Sequence, residues 1–331
     1  MANPNRIVAV AVAADNNQMT INSRRDLRDL RRVKVRPYLR GLVQGLDTRG
    51  FKLRKDYVID FRQRKPNALN NAAAFGNPAA GDVIFCMSTT VVKAAADIGT
   101  FSVNPIVGIV SEPGQETNTA GTRFDQIANI CGVSARRSQT AVDCFDRFLR
   151  TVPTLTEVKV LSKQGYGPSD RALAAITTTA GQKGITCTAV QITDAASLET
   201  ALDALQVRDP DAQPATIGVL VLPIDVCLGH AQEIIDLAQG EKKIPVFFPV
   251  PDWVKADASG ALGAYGVPQR ACGEMMAERV SVIWRNGNAV PGAPFVRWAS
   301  APDDSFQFAV SAAVADPDAL NIGLSPNIPR V

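Results

Sequence analysis

GALGAYGVPQRACGEMMAERVSVIWRNGN, residues 260–288, joins the two elements from which the whole chain is built. From Gln269 onward, Cys272, Met275, Met276, Val280, Ile283 and Trp284 recur at intervals of three and four residues. That spacing predicts one apolar face of a helix, ended by Asn286-Gly287-Asn288. Ahead of it a run of small residues closes in Ala264-Tyr265-Gly266. The free amides of a helix start point back at whatever precedes it, and here a Tyr among small neighbours stands in front of them.

The same alternation extends outward in both directions. Apolar, β-rich runs predict strands at Ile7–Ala14, Tyr57–Arg62, Asp82–Met87, Pro105–Val110, Glu157–Ser162, Thr186–Ile192, Thr216–Leu222 and Pro245–Pro249. Helical spacing falls between them, at Pro37–Thr48, Ser138–Arg150, Ser169–Lys183, Ala196–Leu205 and Gly229–Gln239. Several strands are continuously apolar, as expected when helices cover both faces of a parallel sheet. The expected fold is therefore doubly wound α/β. The alternation pauses once, over the polar residues 111–135, and then restarts. Two lobes joined by a hinge follow from that pause, with a ligand cleft expected between them.

Composition bounds the chemistry. The 331 residues are 46% hydrophobic and 20% charged, ordinary for a globular chain of two domains. A net charge of +3 is too mild to argue for nucleic acid. The apolar run Ile7–Ala14 is far shorter than the roughly 20 residues of a membrane span and lacks a cleavage pattern. Six scattered cysteines without a C-x-x-C pair read as buried small hydrophobes of a reducing compartment. With the single histidine His230, there is little from which to build a zinc site or a histidine triad. No G-x-S-x-G elbow or Walker A sequence is present, and no cofactor is called for. Nucleophilic use of Cys86 or Cys131 by an enzyme would need an activating base, and His230 is the only histidine available.

The expected chemistry lies in the strand-to-helix turns. They read Asp15-Asn16-Asn17-Gln18, Met87-Ser88-Thr89-Thr90, Ser111-Glu112-Pro113, Lys163-Gln164-Gly165-Tyr166, Pro223-Ile224-Asp225 and Pro251-Asp252-Trp253. Their hydroxyl, amide, carboxylate and aromatic groups suit a small polar ligand, although each is also a plausible helix cap.

These stretches resemble the substrate-binding proteins of ABC importers, in the type I periplasmic-binding-protein branch with tryptophan- and phenylalanine-binding members. RPYLRGLVQGLDTRGFKLRKDYVIDFR (36–62) is similar to the family's first helix, Gly-containing turn and second strand. GDVIFCMSTTVVKAA (81–95), NPIVGIVSEPG (104–114), NICGVS (129–134) and DALNIGLSPNIPRV (318–331) follow the family's order. GAYGVPQRACGEMMAERVSVIWRNGN resembles its A-S-Y-G hinge strand and the helix after it.

The resemblance implies non-enzymatic binding of a small solute (amino acid, amide or sugar, amino acid favoured), with closure read by an ABC permease or a signalling partner. It divides the chain into 1–132 plus about 264–297 and 133–263 plus about 298–331. Carried over by motif, ligand contacts fall on Ser88, Thr89, Glu112 and Asp225; the hinge strand adds Tyr265, readable equally as a ligand contact or as a hinge-packing residue, and topology adds Asn16, Gln164, Tyr166 and Trp253.

Glu112 replaces the family's Asp, Cys131 its Thr, and Gln115–Thr122 lengthens a crossover. RRDLRDLRRVKVRPYLR (24–40) holds eight basic and two acidic residues, read as a solvated surface, an anionic-partner site or an assembly contact. The family implies a periplasmic protein whose signal has been removed; the chain as it stands, with six cysteines, reads as cytoplasmic. The alternative function is a structural, self-associating protein that reuses the fold.

Overall fold

The computed structural model describes residues 5–13, 16–29, 36–211, 214–255, 257–287, 299–300, 307–316, 319–324 and 328. In chain order the elements begin with β1 (Asn5–Val12), β2 (Asn17–Ile21), α1 (Arg24–Asp29), α2 (Arg36–Thr48), β3 (Tyr57–Arg64), β4 (Val83–Cys86), α3 (Thr89–Ala96), β5 (Ile106–Val110) and β6 (Ile130–Ser134). They continue with α4 (Arg137–Thr151), β7 (Glu157–Ser162), α5 (Gly167–Gln182), β8 (Thr186–Gln191), α6 (Ala195–Asp203), β9 (Ile217–Val221), α7 (Asp225–Gly229), α8 (Ala231–Ile234) and β10 (Val246–Phe248). Last come β11 (Gly263–Gly266), α9 (Gln269–Arg285), β12 (Ala299–Ser300), β13 (Gln307–Val310) and α10 (Ala312–Ala315). Contacts divide the chain into Met1–Ala135 with Gln269–Ala301, and Arg136–Pro268 with Pro302–Val331.

The first unit holds a sheet of order β12-β6-β5-β4-β1-β3-β2, parallel except for β2. Ile7 to Ala11 of β1 are buried throughout, the burial that a central parallel strand requires. Helices α2 and α9 pack on each other at backbone distance. A Cβ on Gly41 would lie 2.0 Å from the Arg270 carbonyl oxygen, and one on Gly273 would lie 2.2 Å from that of Tyr38. Gly45 faces Ala277 in the same seam, so small residues four apart on each helix make the approach available. Where the two helices end, Trp284 packs against Phe51 and Tyr57 at ring distances of 5.1 and 5.4 Å.

The second unit holds a sheet of order β13-β11-β10-β9-β7-β8, parallel except for β13. Helices α4 and α5 share a core on one face, where Phe148 stacks on Phe247 at 4.5 Å. These rings fill space that glycines leave open: a Cβ on Gly218 would meet Phe148 at 2.4 Å, and one on Gly263 would meet Phe247 at 2.3 Å. Helices α6, α7 and α8 share a second core, and α8 runs on as a π-helix over Ile235–Glu241. Buried Gln239 in that turn donates to the Gly260 carbonyl (2.7 Å) and accepts from the Leu262 amide (2.8 Å), fixing the approach to β11.

The doubly wound expectation holds, with differences that have physical causes. Asn17-Gln18 belongs to an antiparallel edge strand rather than to a turn, its outer side exposed. The polar pause contains a fifth parallel strand, β6, so the first crossing falls at Ala135/Arg136 rather than at 132. Strand β6 passes so near β5 that a Cβ on Gly132 (φ 148°) would sit 1.8 Å from the Gly108 oxygen. The return crossing follows Pro268 rather than 264, because β11 pairs with β10 and β13 and remains in the second sheet. Of the basic segment, Arg24–Asp29 forms α1 and α2 begins at Arg36; residues 30–35 lie outside the described residues. The C-terminal motif is described only at 319–324 and 328.

Candidate functional site

In a doubly wound sheet, the place where successive crossovers turn in opposite directions leaves a crevice at the carboxyl ends of the strands. In the first unit β1 lies between β3 and β4, so the switch lies beyond β1 and β4. In the second unit β7 lies between β8 and β9, which puts the switch beyond β7 and β9.

The first unit brings several candidates to that edge. Ser88 is the extended N-cap of α3, and its Oγ accepts from the Val91 amide at 3.4 Å. Its hydroxyl hydrogen stays available to an acceptor, and the residue is half-buried. Thr89 is buried, and its Oγ1 accepts from the Ser111 amide at 3.2 Å. Ser134 at the end of β6 donates to the Ser111 carbonyl at 3.0 Å. Between them the two hydroxyls clamp the end of β5, immediately before Glu112. The Glu112 carbonyl then accepts from the Gln115 and Glu116 amides at 2.9 and 3.0 Å. Thr89 therefore positions the turn that carries Glu112. Asn16 stands apart from this cluster, where its Oδ1 accepts from the Lys65 amide at 3.0 Å beyond β3.

In the second unit, Gln164 is exposed on the turn after β7, its amide donating to the Gln191 Oε1 at 2.6 Å. Tyr166 is the N-cap of α5; its carbonyl accepts from the Ser169 and Asp170 amides, and its side chain leans on the α6–α8 core. Asp225 opens α7 directly after β9 and is half-buried. Trp253 follows β10 with its ring 6.1 Å from Phe248, and its buried Nε1 has no hydrogen-bond partner among the described residues. Tyr265 lies on β11, opposite Phe308 of β13. The Arg147 guanidinium covers both rings, 4.2 Å from the Tyr265 centroid and 5.1 Å from that of Phe308. One face of Tyr265 is thus taken by a cation–π contact within its own unit.

Sequence reading did not single out Ser134 or Arg147. Ser134 acts through a carbonyl on a neighbouring strand, and Arg147 through a strand more than a hundred residues away, so no local pattern marks either. Another surprise is Arg136, which enters α4 in the left-handed region (φ 44°, ψ 49°) although neither Gly nor Asn marks the position.

Burial decides the cysteine chemistry. It raises the Cys131, Cys144 and Cys227 thiols to about 12 and Cys86 further still. Thiolate is the nucleophile, so at neutral pH these groups are inert. Among all six, Cys187 is the one that is only half-buried. A thiol-reactive disulfide reagent at pH 7–9 is therefore expected to titrate Cys187 quickly in the native protein and all six cysteines only after denaturation. Rapid native labelling of Cys86 or Cys131 would contradict the packing described.

No protein-family model and no curated protein matches the sequence. Solved structures do match, over nearly the full length. A conserved domain protein from Vibrio cholerae superposes with TM-score 0.69 at 17% identity, over 98% of this chain and 97% of that one. The ABC domain from Streptococcus pneumonia in complex with L-Trp gives 0.68 at 12% identity, over 98% and 100%. An ABC-transporter solute-binding protein from Agrobacterium vitis, bound with alpha-D-tagatopyranose, gives 0.57 at 14% identity, over 97% and 99%. Two α/β units with mostly parallel sheets, polar turns at the carboxyl edge of each and agreement over whole chains lead to one conclusion: this chain has the type I periplasmic-binding-protein fold of the ABC-transporter solute-binding proteins.

Proposed function

We propose that the chain binds a small polar solute, an amino acid or a molecule like one, and does not turn it over. The observation that carries this reading is the pair of carboxyl-edge turn clusters. Ser88 and Glu112 stand on turns of the first unit whose backbones are already fixed, and Gln164 and Asp225 begin the equivalent turns of the second. Fixed turns lower the ordering cost of binding. The carboxylates of Glu112 and Asp225 suit an ammonium group, and the Ser88 hydroxyl suits a carboxylate, through charge-assisted hydrogen bonds. Tyr166 and Trp253 offer aromatic faces to the rest of the solute. Binding shifts the protein toward the form with the higher affinity for the solute, and an ABC permease or a signalling partner reads that form.

A thermal-shift screen against amino acids, nucleosides, sugars and organic acids tests this. A solute at 100-fold its dissociation constant is expected to stabilise by about 2.7 kcal/mol. Amino acids should give the shift, and Asp225→Ala should remove it while leaving the melt of the free protein within a few degrees. A shift from sugars alone would replace the amino-acid reading, and silence across every class would end the solute-binding one.

A further inference from the structure

Strand β8 ends the second sheet, and its outer side is uncovered among the described residues. Its amides at Thr186 and, just past its end, Ile192 donate toward β7, to the Thr156 and Ser162 carbonyls. Strand alternation then turns the N–H and C=O groups of Cys187, Ala189 and Gln191 outward. Natural sheet edges are usually blunted by charge, proline or a covering element. TCTAVQ has neither charge nor proline, and Thr186, Ala189 and Gln191 are exposed. At the far edge of the other sheet, by contrast, the Arg64 guanidinium from the neighbouring strand takes the Asn17 carbonyl.

We propose that β8 is a self-association edge, at which a second copy of this chain pairs antiparallel about a two-fold axis and the two six-stranded sheets become one. The outward groups fix the register. Ala189 lies opposite Ala189, and Cys187 opposite Gln191, so each outward N–H meets a carbonyl of the other copy. The charges flanking the strand agree with it. Lys183 precedes β8 and Asp194 follows it, both exposed, and this register brings Lys183 of each copy to the end where Asp194 of the other stands. A parallel pairing would set Lys183 beside Lys183 and Asp194 beside Asp194.

Sedimentation velocity over a concentration series tests the pairing. The wild-type protein is expected to pass from monomer to dimer as concentration rises. Ala189→Lys puts two like charges at the axis and should raise the dimer dissociation constant at least tenfold. Ala189→Pro removes only an outward N–H and leaves the bonds to β7 in place, so it should do the same. Lys183→Glu should weaken the dimer several-fold, more at low salt than at high. Unchanged circular dichroism and melting of Ala189→Lys would show that the loss is not unfolding. A wild-type chain that stays monomeric up to its solubility limit overturns the proposal, as does a dimer indifferent to both Ala189 variants.

Discussion

Gly273→Ala is expected to destabilise the protein by roughly 1–2 kcal/mol, although alanine is the better helix former. The propensity gain in a helix interior is about 1 kcal/mol. Against it stands a methyl group placed 2.2 Å from the Tyr38 carbonyl oxygen and 2.9 Å from the Leu42 amide. Both are backbone atoms of α2, so no rotamer change relieves the contact and the helices must separate. Overpacking of this kind costs about 1–3 kcal/mol and occasionally more. Gly181→Ala is the matched comparison. It lies in α5 with nothing within 4 Å of the added methyl group, and should stabilise by about 0.5–1 kcal/mol. Urea midpoints at unchanged m-value measure both. If the two substitutions move stability in the same direction, α2 and α9 do not pack at backbone distance.

Phe148→Ala should have the larger effect, a loss of about 3–5 kcal/mol. Phe148 is fully buried, stacks on Phe247 and covers Gly218, so its removal empties the centre of the α4–α5 side of the second core. A glycine beneath the ring cannot grow into the space, which limits collapse of the cavity. Phe148→Leu should recover part of the loss. A change below about 1 kcal/mol for the alanine variant would mean that the ring is not a core residue.

The strands that could be read in the sequence are those whose apolar or β-branched residues recur through a short run, alternating with polar ones or not. Tyr57–Arg64, Glu157–Ser162 and Thr186–Gln191 end within two residues of expectation. Local pattern marks none of β2, β6 and β11, for three different reasons, and the strand at β11 is expected from the family resemblance alone. Asn17–Ile21 is a polar antiparallel edge, Ile130–Ser134 is short and interrupted by Gly132, and Gly263–Gly266 consists almost wholly of small residues. In each case it is pairing with a neighbour, not local propensity, that makes the strand. The candidate site divides along the same line. Alternation alone places Ser88, Glu112, Gln164 and Asp225 at the ends of strands. What each hydroxyl or ring does there depends on adjacent strands: Thr89 is spent on Ser111, and Tyr265 on Arg147.

The seam between α2 and α9 also sets a schedule for synthesis. The groove at Gly41 and Gly45 is made early, but the helix that fills it contains Gly273 and appears only after Arg136–Pro268 has been translated. At about 5–20 residues per second the wait is roughly seven seconds to half a minute. During that interval the nascent first unit shows water an apolar helix face with nothing to cover it, the kind of surface that holdase chaperones recognise. A ribosome that stalls before α9 therefore leaves a chain whose first unit lacks a helix of its core, however well the middle of the second has folded.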